Sequence, residues 1–215
     1  MPQSYRAKFI NSLSGFKSAN LIGTQHLNGQ SNLAIFSSVI HLGASPALVG
    51  FIMRPNNAER HTLNNIVSTE QYTINQVSKE FYRKAHQTSA HYSQEESEFV
   101  QSGLSAHYID GVYAPFVKES RLKYALKLQD IIHIKLNNTQ LIIGEISHLL
   151  CENKAIQEDG YIDIESLGTT CISGLDSYHN TTRIKRLSYA KPNKPINDLH
   201  INGTSIYSIK DGLPK

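Results

Sequence analysis

Asn28 and Gly29 stand between two apolar, strand-like runs, ANLIGTQ at residues 19–25 and NLAIFSSVI at residues 32–40. An Asn-Gly pair in that setting is the strongest short hairpin signal, because both residues tolerate the backbone conformations a tight reversal needs. Strands joined so briefly must be antiparallel neighbours. A third run, ALVGFIM at 47–53, follows Ser45-Pro46, so the segment reads as a β-meander.

The rest of the chain keeps to short strands with one helical insertion. HTLNNIVSTE (61–70) places Leu63, Ile66 and Val67 on one face of a short helix, and YTINQVS (72–78) returns to a strand. Ser78 is the expected N-cap of a helical stretch SKEFYRKAHQTSA, and Ser93 with Glu96 forms a capping box ahead of EFVQSGL, which closes on Gly103. RLKYALKLQ then alternates, with Leu122, Tyr124, Leu126 and Leu128 on one side, and IIHIKL, the Asn137-Asn138 turn and QLIIGEISHLL continue as a hairpin. Strands and helices would alternate throughout a doubly wound sheet, so the expected fold is a small antiparallel barrel, mainly β with peripheral helices. The tail after Ala190 carries three prolines and reads as an ordered arm or a loose end.

Composition narrows the functional classes. A chain of 215 residues suits one domain. The net charge of +3 is mild, and its lysines and arginines are spread along the chain, so no nucleic-acid partner is expected while a small anionic ligand suits the balance. Ten histidines occur without HExxH, HxH or paired Cys/His spacing, so no metal site is expected. Cys151 and Cys171 fit neither a disulfide framework nor a CxxC site, MPQSYRAKFINSL lacks the apolar stretch of a secretory leader, and no run is long enough to cross a bilayer. A soluble cytoplasmic protein away from membranes is the expectation.

Two stretches carry potential chemistry. Asn32, Ser37 and Ser38 interrupt the second strand with an amide and two hydroxyls; in an unbroken strand the two serines face opposite sides, one inward or towards a ligand. Gly23 and Gly50, in the flanking strands, either admit a backbone or a flat ligand or relieve crowding in a barrel wall. The second stretch, MRPNNAERHT, sets Arg54, Arg60, His61 and Thr62 before a helix start, which is either an anion site in outline or a solvated loop with a threonine cap. GxSxG, GxGxxG and the Walker loop are all missing, so an enzyme of this sequence would rely on a bound cofactor, and no catalytic residue is named.

Taken in order, SANLIGTQHLNGQSNLAIFSSVIHLGASPALVGFIM, RHTLNNI, YTINQVS, HQTSAHYSQEESEFVQSGL, LIIGEI and GLDSYHNTTRIKRLSYAKP resemble the flavin reductase-like, FMN-binding split-barrel proteins over roughly residues 10–192. The resemblance implies a six-stranded antiparallel split β-barrel spanning 1–192, with 193–215 as a C-terminal arm or tail. It also implies a homodimer and an FMN cofactor, with FAD as the alternative. Asn32, Ala34, Ser37 and Ser38 match the second-strand motif, Arg54 falls just after the third strand, and Arg60, His61 and Thr62 form the basic turn expected at the phosphate. Tyr178 and His179 are the expected neighbours of the flavin or of a nicotinamide. Two positions depart from the family pattern: Ile35 stands where many relatives have proline, and His61 where they often have aspartate. The implied activity is hydride transfer from NAD(P)H to flavin N5, with electrons passing to an acceptor or to a partner monooxygenase. A flavin-binding carrier or electron-transfer protein without turnover, and a purely structural dimer, are the alternatives.

Overall fold

The structure, a computed structural model, describes residues 1–55, 61–93 and 95–206. It opens with helix α1 (Gln3–Ser12), then β1 (Lys17–Ser18), β2 (Asn20–Gln25), β3 (Ser31–Phe36), β4 (Ile40–Ala44) and β5 (Ala47–Met53). Helix α2 (His61–Thr69) and β6 (Gln71–Gln76) follow, then α3 (Tyr82–Gln87), α4 (Glu98–Ser102), β7 (Ala106–Ile109) and β8 (Val112–Val117). The long strands β9 (Leu122–Ile134) and β10 (Thr139–Cys151) precede the short β11 (Thr170–Ser173), β12 (Ser177–Asn180), β13 (Arg186–Leu187) and β14 (Asp198–Leu199).

The main sheet is antiparallel, in the order β3-β2-β6-β9-β10-β5-β4. Six of these strands make the expected split barrel, and the short β4 is a seventh at one edge. The two end strands, β3 and β4, do not pair with each other, so the barrel is open along that line. The β2–β3 reversal spans residues 26–30: Gly29 N–H bonds the His26 carbonyl at 2.9 Å, His26 N–H bonds the Gln30 carbonyl at 2.8 Å, and Gly29 takes φ +92°. Only glycine adopts that angle without strain.

Alternation along β2 divides its apolar residues between two cores. Ile22 joins Phe51, Met53, Tyr72, Ile74, Leu126 and Ile142 inside the barrel, where Leu63 and Ile66 of α2 close one end. Leu21 and Leu33 face outward onto Phe81, Ala85, Phe99 and Leu104, which belong to the α3–α4 layer. Burying each of these large side chains stabilises by about 1.5–3 kcal/mol. Strand β8 also lies on the outer face, where Thr73 Oγ1 donates to the Pro115 carbonyl at 2.6 Å and Asn75 Oδ1 accepts the Val117 N–H at 2.8 Å. A β-carbon on Gly23 would meet the Pro115 carbonyl oxygen, and would lie 2.6 Å from Thr73 Oγ1, so Gly23 is the point where a second backbone comes close.

Three local expectations change, and the open reading of the tail is resolved. The second strand ends at Phe36 instead of running to Ile40, so Ser37 and Ser38 do not follow strand alternation. Ser78 does not cap a helix: Thr170 N–H bonds the Val77 carbonyl and Lys79 N–H bonds the Gly168 carbonyl, both at 2.9 Å, which holds Val77 and Ser78 against residues 168–170; a turn over 79–81 follows, and α3 starts only at Tyr82. Ser93 N–H and Oγ do bond the Glu96 carboxylate, each at 3.1 Å, but the helix behind them starts at Glu98 with Ser97 as its N-cap. Residues 186–206 form an ordered arm. Arg186 Nη2 meets Asp159 Oδ2 at 2.5 Å, Nη1 donates to the Ile201 carbonyl, and the guanidinium lies 4.2 Å from the Tyr161 ring centroid. Among the described residues no helix is long and apolar enough to cross a membrane.

Candidate functional site

The open line of the barrel borders a cleft of about 1190 Å³. Asn32, Ala34, Ser37, Ser38, Arg54, His61, Thr62 and Tyr178 all line it, so the structure brings together residues drawn from four separate parts of the chain. Arg60 lies outside the described residues. His179 is not brought in: successive side chains on β12 point to opposite faces, and its Nε2 meets Ser173 Oγ at 2.8 Å while its ring packs edge-on to Phe16.

Asn32 organises one end of the cleft. Its Nδ2 donates to Thr62 Oγ1 at 3.0 Å and to Thr24 Oγ1 at 3.2 Å, and Asn65 Nδ2 donates to the same Thr24 oxygen at 3.1 Å. All four side chains are buried. Buried polar groups are tolerated when they are bonded, and here the bonds fix the first turn of α2 against β2 and β3. Thr62 uses its oxygen as an acceptor in this network, which leaves its O–H to donate beside the N–H groups of the helix start, where the helix dipole favours an anion.

The wall along β3 is an unpaired strand edge. Leu33 N–H points away from β2 and donates to Glu98 Oε2 at 3.0 Å. In an antiparallel ladder residues two apart point their backbone groups the same way, so the N–H and C=O of Ile35 also face off the sheet edge, on the side where Ile35 lines the cleft. Proline at this position would lack that donor. Beyond Phe36 the two serines separate in role. Ser38 Oγ bonds both the N–H and the carbonyl of Ile52, at 3.1 and 3.2 Å, and so ties the end of β3 to β5 where no ladder exists. Ser37 remains at the cleft wall without that engagement.

The opposite wall comes from α3, the loop after it and β12. His86 Nδ1 and Tyr178 Oη lie 3.0 Å apart, and the Tyr178 ring tilts against Tyr82 at 5.4 Å between centroids. Burial, with a smaller contribution from Asp176, pushes the Tyr178 hydroxyl up to about 12, so it stays protonated at neutral pH. Thr88, Ser89, His91 and Tyr92 continue this wall, and Lys17, Asn11 and Glu98 also line the cleft. The sequence motifs assign no role to these residues. Residues 86–98 lie far from the strand pair in sequence, and the family pattern reaches that stretch only through HQTSAHYSQEESEFVQSGL, which gives no side chain in it a role.

Glu98 is 7% exposed, and burial holds its carboxyl above the ordinary value, opposed by the N–H of Leu33, its own N–H and His61. The folded chain therefore binds this proton more tightly than the unfolded chain. Stability should decline as pH rises from about 4.5, the ordinary value, through the raised one. Each tenfold difference in proton affinity is worth about 1.4 kcal/mol. Glu98→Gln keeps an oxygen for Leu33 N–H, and should flatten that decline in urea unfolding measured across the acid range. An unchanged slope would place the titrating group elsewhere.

The family model described as flavin reductase like domain matches residues 14–165. A split-barrel structure from Shewanella frigidimarina NCIMB 400, provisionally assigned as a flavin reductase, is 53% identical with a TM-score of 0.85, covering 88% of this chain and 94% of its own. Nitrilotriacetate monooxygenase component B from Bacillus cereus is 17% identical with a TM-score of 0.78, over 87% of this chain and 95% of that one. Flavoredoxin of Desulfovibrio vulgaris (Miyazaki F) is 22% identical with a TM-score of 0.68, over 83% and 92%. At these lower identities the last two share the fold.

Proposed function

The chain belongs to the flavin reductase-like family, and from that premise we propose that it is an FMN-dependent oxidoreductase that takes its electrons from NADH or NADPH. The observation that carries this reading is the meeting, in one cleft, of the Asn32-held Thr62 at a helix start, the open edge of β3 and the His86–Tyr178 wall. These residues fit the cofactor. Thr62 and the first N–H groups of α2 would hold its phosphate, joined by Arg60, and the backbone of Ile35 with Ser37 would meet the edge of a planar heterocycle. Ligand sites usually occupy about 300–1,000 Å³, so a cleft of about 1190 Å³ leaves room for a second ring system.

FMN, when bound, supplies the hydride-accepting centre. The chain's own residues orient and shield it: hydride transfer needs close stacking and no obligatory side-chain acid. Tyr178, kept protonated by burial, offers a neutral hydroxyl and an aromatic face to whatever lies over the flavin. A homodimer, a cytoplasmic setting and a partner monooxygenase that uses the reduced flavin belong to the same proposal. A neighbour named as component B of a monooxygenase supports the last of these by fold alone.

The test is spectroscopic. Purified chain mixed with FMN should show a perturbed flavin spectrum, and should then consume NADH or NADPH in steady state. A flavin-loaded chain that leaves both nicotinamides untouched would make it an electron carrier instead, and one that takes up no flavin would end the proposal.

A further inference from the structure

A second feature of the cleft is a pair of cations in its lining, Lys17 and Arg54. Lys17 Nζ donates to the Asn11 carbonyl at 2.8 Å and to the Gly174 carbonyl at 3.0 Å, and Arg54 Nη2 donates to Asn11 Oδ1 at 3.3 Å. One asparagine thus holds two cations side by side, and every one of these acceptors is neutral. Neither cation forms an ion pair among the described residues. Of the two carboxylates in the lining, Glu98 accepts from Leu33 N–H and Asp176 pairs with Lys8 at 3.3 Å. Burial and then the neighbouring Arg54 charge lower the Lys17 ammonium from its ordinary value, so the pair stands at an electrostatic cost that an anion would relieve.

Its place in the fold separates it from the Thr62 end. Asn32, which holds Thr62, pairs with Thr24, whereas Phe36 at the other end of β3 pairs with Asn20, three residues after Lys17. Arg54 follows Ile52 by two residues, and Ile52 is bonded to Ser38 just past Phe36. From Asn32 to Phe36 the strand rises by about 13 Å. A phosphate within hydrogen-bond reach of the Thr62 hydroxyl therefore leaves the Lys17–Arg54 pair for another anion.

We propose that Lys17 and Arg54 form a second phosphate subsite of the cleft, which takes a phosphate of the nicotinamide dinucleotide and not that of the flavin. The proposal rests on the function proposed above, and it moves Arg54 from the flavin phosphate, where the sequence motif sets it, to the second substrate. Asn11 and the start of β1 position the pair, so the N-terminal helix becomes part of the dinucleotide site.

Calorimetric titration of the full chain with FMN, NADP⁺ and NAD⁺ separately tests it, using Lys17→Gln, Arg54→Gln and the charge-keeping Lys17→Arg. Each glutamine variant should weaken NADP⁺ binding about tenfold or more while FMN affinity changes by less than about threefold, and Lys17→Arg should stay within about threefold of the wild type. An equal loss for NAD⁺ assigns the pair to the pyrophosphate, and a loss confined to NADP⁺ assigns it to the 2′-phosphate; both support the subsite. Loss of FMN affinity as large as that of NADP⁺, unchanged NADP⁺ binding, or a wild-type chain that binds neither dinucleotide would overturn it. A wild type that binds dinucleotide but no FMN would instead defeat the function proposed above, with the variants still deciding the subsite.

Discussion

Gly23→Ala is expected to destabilise the fold by about 3 kcal/mol or more, at the upper end for one added methyl group in a packed interior. The new β-carbon would collide with the Pro115 carbonyl oxygen and crowd Thr73 Oγ1 at 2.6 Å, and it would disturb the bond between those two groups. Backbone cannot rotate away as a side chain can. The gain of roughly 0.5–1 kcal/mol that alanine usually brings over glycine in a strand is too small to offset this. Gly50→Ala is the control, because its β-carbon would chiefly meet the ends of Leu42 and Leu141, at 2.9 and 3.0 Å, which can repack. Urea unfolding should show it losing about 1 kcal/mol. Equal losses in the two variants would mean that the approach of β8 does not set the requirement at Gly23.

Thr62→Ala is expected to weaken FMN binding tenfold or more, corresponding to about 1.5–3 kcal/mol for a lost hydrogen bond to a charged group. Thr62→Ser, which keeps the hydroxyl, should recover most of the affinity. The alanine variant also removes one of the two oxygens that Asn32 Nδ2 bonds, so a modest fall in stability should accompany it. Fluorescence titration of FMN separates the two effects, since Thr24 still satisfies the amide at low temperature. If both variants bind FMN as tightly as the wild type, the phosphate does not sit at the start of α2. Arg60→Ala is the companion substitution that the sequence motif calls for.

Much of the barrel is legible in the sequence, because its strands obey a two-residue period and its reversals carry their own chemistry. The Asn28-Gly29 hairpin and the Leu122–Leu128 alternation both report local constraints. Gly23 is legible as a place of close approach, although only the fold shows that Pro115 is what approaches. Ser37 and Ser38 are harder to read, because the strand ends at Phe36 and not at Ile40, which changes what each side chain meets. Ser78 misleads for a similar reason: a good N-cap residue is overridden by tertiary pairing with residues 168–170. The cleft itself is legible on the strand side, where the motif residues cluster. On its other wall the family pattern marks Tyr178, whereas His86 beside it and Lys17 at the far end arise from contacts between distant segments that leave no spacing in the chain.

Strand β2 is covered on both faces, and β3 beside it has Leu33 locked to Phe99 and its neighbours while Asn32, one residue away, holds the cleft. The outer helical shell is therefore a lever on the proposed ligand site. A screen for weakened nucleotide retention should recover substitutions such as those at Phe99 or Leu104, which lie outside the cleft lining.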